Sequence, residues 1–447
     1  SWMGWFYAGN TGGAVLGCLL AGFFLLRVYD MPTATYTAVV INAAVAGVAL
    51  ALASRIPWRK AAPDKTEMPG DVGIRNVGVY VTIGLSGLCA LGAEVVWTRL
   101  LSLTLGATVY TFSIILAVFL TGIGIGSSAG AYLARRISRT RMVLGTCQLL
   151  IAATVFWAAL FIYRVPNWNI SPVDITTAYG PWLMFFIDIL RTIIVVLPGA
   201  LLWGASFPLA LAAVAERDRD PGRMVGGVYA ANTVGAILGS LLFSMVVIPQ
   251  VGSQWAHRFL LLLTAASSLV AFWPILSSRE HAAEEEETTG RAALSTRKMA
   301  GVLLSLAAVL VLAVLVSPVN WASVAFGRYA SSWIKVSNMG GIVDEADVPT
   351  VRDRGTGNRY CLYLGEGMNV SVAVSKNTHG WKFFHGAGKV QASSNPQDMR
   401  LQRMLGHLSV LTRPNPREVK DVLVVACGAG VTAGSFIPYP DIENITI

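Results

Sequence analysis

The chain has 447 residues, of which 54% are apolar and 13% charged, with a net charge of +9. A mean hydropathy of +0.58 excludes an ordinary soluble globular protein, although the length would suit two or three soluble domains. The positive charge does not point to nucleic acid, because Lys and Arg lie mainly between apolar runs, where they set membrane topology. Five scattered cysteines, without CxxC or a histidine at ligand spacing, give neither a disulfide framework nor a zinc site.

In chain order, nine apolar runs are long enough to cross a bilayer, near 5–26, 32–54, 77–101, 106–133, 142–163, 181–214, 224–249, 256–277 and 299–317. The first begins at once behind Ser1, with no basic segment or cleavage site before it, so it is not a signal peptide, and the chain reads as the interior of a longer one. The sixth run is overlong and carries Pro198 and Pro208, so a kink or break is expected there. Basic residues crowd alternate loops: Arg55, Arg59, Lys60, Lys65 and Arg75; Arg135, Arg136, Arg139 and Arg141; Arg217, Arg219 and Arg223; Arg279, Arg291, Arg297 and Lys298. The positive-inside rule places these loops in the cytoplasm. The acidic run Glu284–Glu287 reads as solvated linker.

A repeat is visible. Tyr7-Ala8-Gly9-Asn10-Thr11-Gly12-Gly13-Ala14-Val15-Leu16-Gly17 returns as Tyr229-Ala230-Ala231-Asn232-Thr233-Val234-Gly235-Ala236-Ile237-Leu238-Gly239, each followed by one more apolar span. Residues 1–54 therefore read as the last two spans of a first membrane repeat, and 77–277 as a second repeat of about six helices. A charged loop (278–298) and a ninth span (299–317) follow.

After Pro318 the composition turns soluble. Gly367–Ser375 alternates as a half-buried strand does, and GWKFFHGAGKVQ reads as a hairpin. Asn395-Pro396-Gln397-Asp398 reads as a helix start, with a cap, a proline at the first position and an acid in the first turn. VLVVACGAGVTAGSF (Val422–Phe436) reads as strand, glycine turn and helix, the opening of a nucleotide-binding sheet. Asn444–Ile447 starts a second strand.

Four stretches carry a resemblance: Gly92–Ser127, GKVQAS (Gly388–Ser393), DMRLQRMLGHL (Asp398–Leu408) and VLVVACGAGVTAG. Together they resemble bacterial fused membrane proteins, transporter-like, that carry a spermidine-synthase-like domain. The resemblance implies a fold class: a polytopic helical membrane domain of about nine spans, then a partial α/β Rossmann-like domain of the aminopropyltransferase type over 319–447, opened by an N-terminal β-hairpin region and ending after its second strand. It implies aminopropyl transfer from decarboxylated S-adenosylmethionine to an amine in a bacterial cytoplasmic membrane, with Gly428, Ala429, Gly430 and Gly434 near the nucleoside and Gln391 near the amine. This chain departs from the family in three places. Leu401-Gln402-Arg403 replaces a Tyr-His-Glu triplet, Ala429 replaces an acid, and Ala387-Gly388 replaces Asp-Gly.

The membrane region offers its own candidates. Glu94 and Arg99 lie within an apolar span, where an ionisable group is a functional-site hypothesis; the alternative is a structural pair. Asp188 and Arg191, three residues apart on another span, are placed to satisfy each other. Gly122, Gly126 and Gly130, like Gly13/Gly17 and Gly235/Gly239, recur every four residues, as close helix packing requires. Asn10 and Asn232 occupy equivalent repeat positions and suit hydrogen bonds across helices. His379, His385 and His407 show no metal-binding spacing. Counting spans from the basic loop at 135–141 puts 319–447 on the outer, periplasm-like face, away from where adenosyl cofactors are made. Two further readings stay open beside the enzyme: a transporter of an amine-like solute with Glu94 as counter-charge, and a non-catalytic accessory subunit packed against other membrane proteins in the bilayer.

Overall fold

The computed structural model describes residues 2–55, 74–137, 139–164, 179–215, 221–277, 289–329, 334–335, 350–353 and 357–447. Arg59, Lys60, Lys65, Arg217, Arg219, Arg279 and Glu284–Glu287 lie outside them.

The apolar runs become helices: α1 (Trp2–Leu20, continued by a π-helical Ala21–Leu25 and a last turn to Val28), α2 (Met31–Arg55), α3 (Ile74–Leu105), α4 (Val109–Arg136), α5 (Thr140–Arg164), α6 (Gly180–Val214), α7 (Pro221–Leu242, continued by a π-helical Phe243–Val247), α8 (Ile248–Ser277) and α9 (Thr289–Leu315). Among the described residues, seven helical segments are long and apolar enough to cross a membrane, not the nine expected. The expected seventh and eighth spans run on as one segment of 50 residues, Met224–Trp273, and the apolar part of α9, Ala300–Leu315, falls short of that length. Fifty helical residues would measure about 75 Å, far more than a hydrocarbon core. The segment does not run straight. Gly252 takes φ 80°, ψ 170°, and the chain reverses there. Before it, Gly235 and Gly239 press in ascending order on Gly84 and Leu88 of α3. After it, Ser267 bonds back to Thr82 in the opposite sense. The overlong α6 stays a single helix through Pro198 and Pro208.

Close approach explains the glycines. A Cβ at Gly126 would stand 1.9 Å from the Leu201 carbonyl of α6, and one at Gly235 would stand 1.9 Å from that of Gly84. The core between the helices is filled by fully buried Ile83, Trp97, Leu101, Ile115, Ile151, Phe243 and Leu260. The helix α2, by contrast, buries none of its residues.

Beyond α9, a short helix α10 (Trp321–Phe326) leads into a six-stranded antiparallel meander: β1 (Ile334–Lys335), β2 (Thr350–Asp353), β3 (Gly357–Glu366), β4 (Ser371–Asn377), β5 (Lys382–Gly386) and β6 (Lys389–Ser393). Helix α11 (Pro396–Leu411) follows, capped by Asn395 on Gln397 N. Then β7 (Asp421–Leu423), the short α12 (Val431–Gly434) and β8 (Asn444–Thr446) form a two-stranded parallel pair. The expected fold class is corrected here too. The sheets lie at the C-terminal part of the chain as a meander and a separate pair of three-residue strands, not as an α/β domain opened by an N-terminal hairpin. The GWKFFHGAGKVQ hairpin exists, as β5–β6, but it is the last turn of the meander. The long strand β3 escaped the reading because a register shift between Cys361 and Tyr363 breaks its alternation.

The β5–β6 turn has two residues, Ala387 (φ 49°) and Gly388 (φ 80°), both left-handed as a type I′ turn demands. Gly388 is required: its Cα lies against Gly327, and its N–H donates to the Val324 carbonyl of α10. Beneath the sheet, His385 is fully buried, bonded to Ser375 Oγ (2.8 Å) and to the Ala325 carbonyl (3.0 Å). Burial brings its pKa down to about 4. The unfolded chain therefore binds the extra proton first. Stability from this group is complete above about pH 6.5 and falls as the pH drops toward 4, by up to about 3 kcal/mol. Denaturant titrations at pH 7.5 and 4.5, followed by the loss of strand signal in circular dichroism, are expected to show this loss in the wild type and not in His385→Gln. A loss of equal size in both would refute the assignment.

Candidate functional site at the junction of helices and sheet

Helix α3 is mostly apolar, yet its C-terminal part carries Glu94, Thr98 and Ser102 at helical spacing, with Arg99 beside them. These residues meet the β3–β4 turn. The turn is closed by Gly367 N–H on the Val370 carbonyl at 3.0 Å. Arg99 donates to the carbonyls of Gly367 (2.6 Å) and Met368 (3.2 Å), and to Ser371 Oγ at 3.2 Å from Nη2. A guanidinium inside an apolar bundle needs such acceptors, since an unpaired charge there costs several kcal/mol.

Two further contacts tie the sheet to the helix ends. Glu366, just before the turn, accepts the Ser253 backbone N–H at 3.0 Å and the Ser253 hydroxyl, behind the break at Gly252. Arg328, just after α10, donates to Asp188 at 2.5 Å and to the Leu105 carbonyl at 3.0 Å. Arg191 stands 3.6 Å from the other oxygen of Asp188. The expected Asp188–Arg191 pair is thus a triad whose stronger arm comes from outside the helix. All these contacts lie at one end of the bundle. Arg135 and Arg136 lie at the far end of α4, whose 28 residues span about 42 Å.

The turn and the helix ends line an open cavity of about 480 Å³. Its walls include Glu94, Thr98, Arg99, Ser244 and Asn369, with Phe112 and Ile248 among the apolar ones. Arg99 faces the β3–β4 turn and not Glu94. The Glu94 carboxylate therefore has no hydrogen-bond partner or counter-charge among the described residues. Thr98 Oγ1 is buried and also unpartnered. Orphaned polar groups of this kind need an explanation, and a cavity that two of them line supplies room for one.

The glycine turn is placed elsewhere. Gly428 (φ 56°) and Gly430 (φ 77°) are left-handed, and a Cβ at Gly428, Gly430 or Gly434 would meet nothing within 4 Å. Ala429 is exposed. The nearby Ala426 also takes a positive φ of 71°, a conformation costly for a residue with a Cβ. Gln391, on β6, donates to the Gly386 carbonyl at 3.2 Å. Helix α11 connects the two regions: Gln402 reaches the Ser393 carbonyl of β6 at 3.4 Å, and Thr432 of α12 donates to the Gln402 carbonyl at 3.0 Å. Val410, Val424, Ala433 and Phe436 form the small core of this unit. Among the described residues, no group of three His, Cys, Asp or Glu is placed to hold a metal ion.

Sequence reasoning missed Arg328, Glu366 and Ser371. Arg328 follows the last apolar run and passes for a topology charge, and nothing local to Glu366 announces a cap on a helix 113 residues away.

No protein-family profile matches the chain, and no solved structure matches it. Among curated proteins, it is similar to Polyamine aminopropyltransferase 2 of Streptomyces coelicolor, 28% identical over 198 residues, which cover 42% of this chain and 33% of that protein. The chain thus spans about a third of the length of the curated relative it matches. Long apolar helices and this distant likeness together describe an integral membrane protein loosely linked to the spermidine-synthase-like superfamily.

Proposed function

We propose that this membrane protein recognises an amine in the junction cavity, with Glu94 as its counter-charge, and moves such a solute along the bundle. The observation that carries the reading is the unpartnered Glu94 carboxylate beside an Arg99 already saturated by backbone carbonyls and Ser371. A carboxylate facing an otherwise largely apolar cavity selects a cation with an apolar body, and an aliphatic amine is one. The name of that relative, a polyamine aminopropyltransferase, agrees with that chemistry. The basic loops are cytoplasmic by the positive-inside rule, so the cavity and sheet face outward. The test is calorimetric titration of the detergent-purified protein with 1,4-diaminobutane. Glu94→Gln keeps the size and removes the charge, and is expected to weaken binding roughly thirtyfold to a hundredfold, the worth of a charged hydrogen bond in a dry site. Equal affinities for wild type and variant would end the reading.

A second reading is aminopropyl transfer, favoured by the likeness to the aminopropyltransferase and by the open left-handed turn at Gly428 and Gly430. Decarboxylated S-adenosylmethionine would lie against that turn, and Gln391 near the amine. On this reading the protein binds that sulfonium, and Gly430→Val, which forces a branched side chain into φ 77°, loses the binding. If the amine is bound and the sulfonium is not, the first reading stands alone.

A further inference from the structure

The two copies of the repeated motif line one cavity. A second cavity of about 480 Å³ is lined by Asn10, Thr11 and Ala14 of α1 and by Asn232, Thr233 and Ala236 of α7, the same three positions of each copy. Leu120 and Ile123, halfway along α4, form part of its wall, so it lies near the middle of the bundle's height. Neither asparagine amide and neither threonine hydroxyl has a hydrogen-bond partner among the described residues. In hydrocarbon, such groups bond across helices or hold a solute. The equivalence goes further. Each motif runs into a π-helical turn at the same offset from its tyrosine, Ala21–Leu25 after Tyr7 and Phe243–Val247 after Tyr229. Such turns replace the regular bonding pattern and recur at functional sites.

This cavity adjoins the one at the junction. Leu91 lines both, and Ser240 of the mid-bundle cavity stands one helical turn from Ser244 of the junction cavity. Among the described residues, no charged one lines the mid-bundle cavity. Its lining offers the threonine hydroxyls and the amides of the exposed Asn10 and of Asn232, whose Oδ1 lies toward Gly87 of α3; these suit the N–H donors of a primary amine whose apolar chain lies against Leu120 and Ile123.

We infer that the paired motifs form a second, charge-free position for the amine, separated by Leu91 from the Glu94 position. The inference rests on the amine reading above and deepens it. Equilibrium dialysis of the full chain in detergent against radiolabelled 1,4-diaminobutane is expected to give two sites in the wild type. Glu94→Gln is expected to leave one, Asn10→Ala/Asn232→Ala one, and the triple variant none. Thr11→Val/Thr233→Val, which keeps the volume, is expected to weaken the mid-bundle site roughly tenfold and guards against a folding artefact in the asparagine pair. Two sites remaining in the asparagine double variant would overturn the inference and leave the Glu94 reading intact. Two sites remaining in Glu94→Gln would overturn the Glu94 reading. No binding to the wild type would overturn both.

Discussion

Asp188→Ala is expected to destabilise the folded protein by about 3 kcal/mol, the low end for a buried ion pair losing one partner. Asp188 is only 6% exposed, and it answers both Arg191 on its own helix and Arg328 from beyond α10. Its removal leaves two guanidinium groups without their carboxylate, and the desolvation already spent on them is no longer offset. The low end applies because a third of the Arg328 side chain reaches the surface. Thermal unfolding in detergent measures the loss, and Arg328→Ala should produce part of it. In the double variant Asp188→Ala/Arg328→Ala the cost should be less than the sum, by about 1 kcal/mol or more, since the pair is lost only once. Strict additivity would mean that Arg328 and Asp188 do not act as a pair. The coupling has a functional consequence, because Arg328 is one of three ties that press the sheet onto the helix ends around the Glu94 cavity.

The second large effect separates two glycines that look alike in sequence. Gly13 and Gly235 hold the same position of the repeated motif. A Cβ at Gly235 would stand 1.9 Å from the Gly84 carbonyl, whereas one at Gly13 would meet nothing within 4 Å. Gly235→Leu is therefore expected to force α7 off α3 and cost about 3 kcal/mol or more. Gly13→Leu should stay within about 0.5 kcal/mol of the wild type, as an open surface position does. Size-exclusion profiles and melting temperatures of the two variants, purified side by side, decide it. Equal damage by both would show that the α1 face is packed as tightly as that of α7.

The membrane region was legible because its signal is local. Runs of apolar residues, prolines, basic loops and a repeated motif are all read along the chain, and each owes its form to the hydrocarbon around it. The helix start at Asn395 was legible for the same reason: cap, proline and acid lie within four residues. The span count was less legible. The run 224–273 is one helical segment that turns back at Gly252, inside the break expected between 249 and 256, whereas the apolar part of α9 is shorter than its sequence suggested. The sheet was harder still. A meander is defined by pairings between strands, and the register shift at Cys361 and Tyr363 removed the alternation that would have announced β3. The glycine turn shows the limit of motif reading: its left-handed glycines are where the sequence puts them, but the strands beside it are three residues long.

For the candidate sites the division is sharper. The sequence by itself determined which side chains are out of place in hydrocarbon: Glu94, Arg99, Asp188, Arg191, Asn10 and Asn232. That much follows from the cost of burying polar groups, which depends on residue type and span alone. Only the tertiary structure decided which of them are satisfied. Arg99 turned toward the carbonyls of Gly367 and Met368, and Asp188 gained Arg328, while Glu94 and the two asparagines were left facing cavities. Hydrogen-bond partners are fixed by atoms brought together from distant parts of the chain, within about 3 Å and at a narrow range of angles, and no spacing along a single helix specifies them.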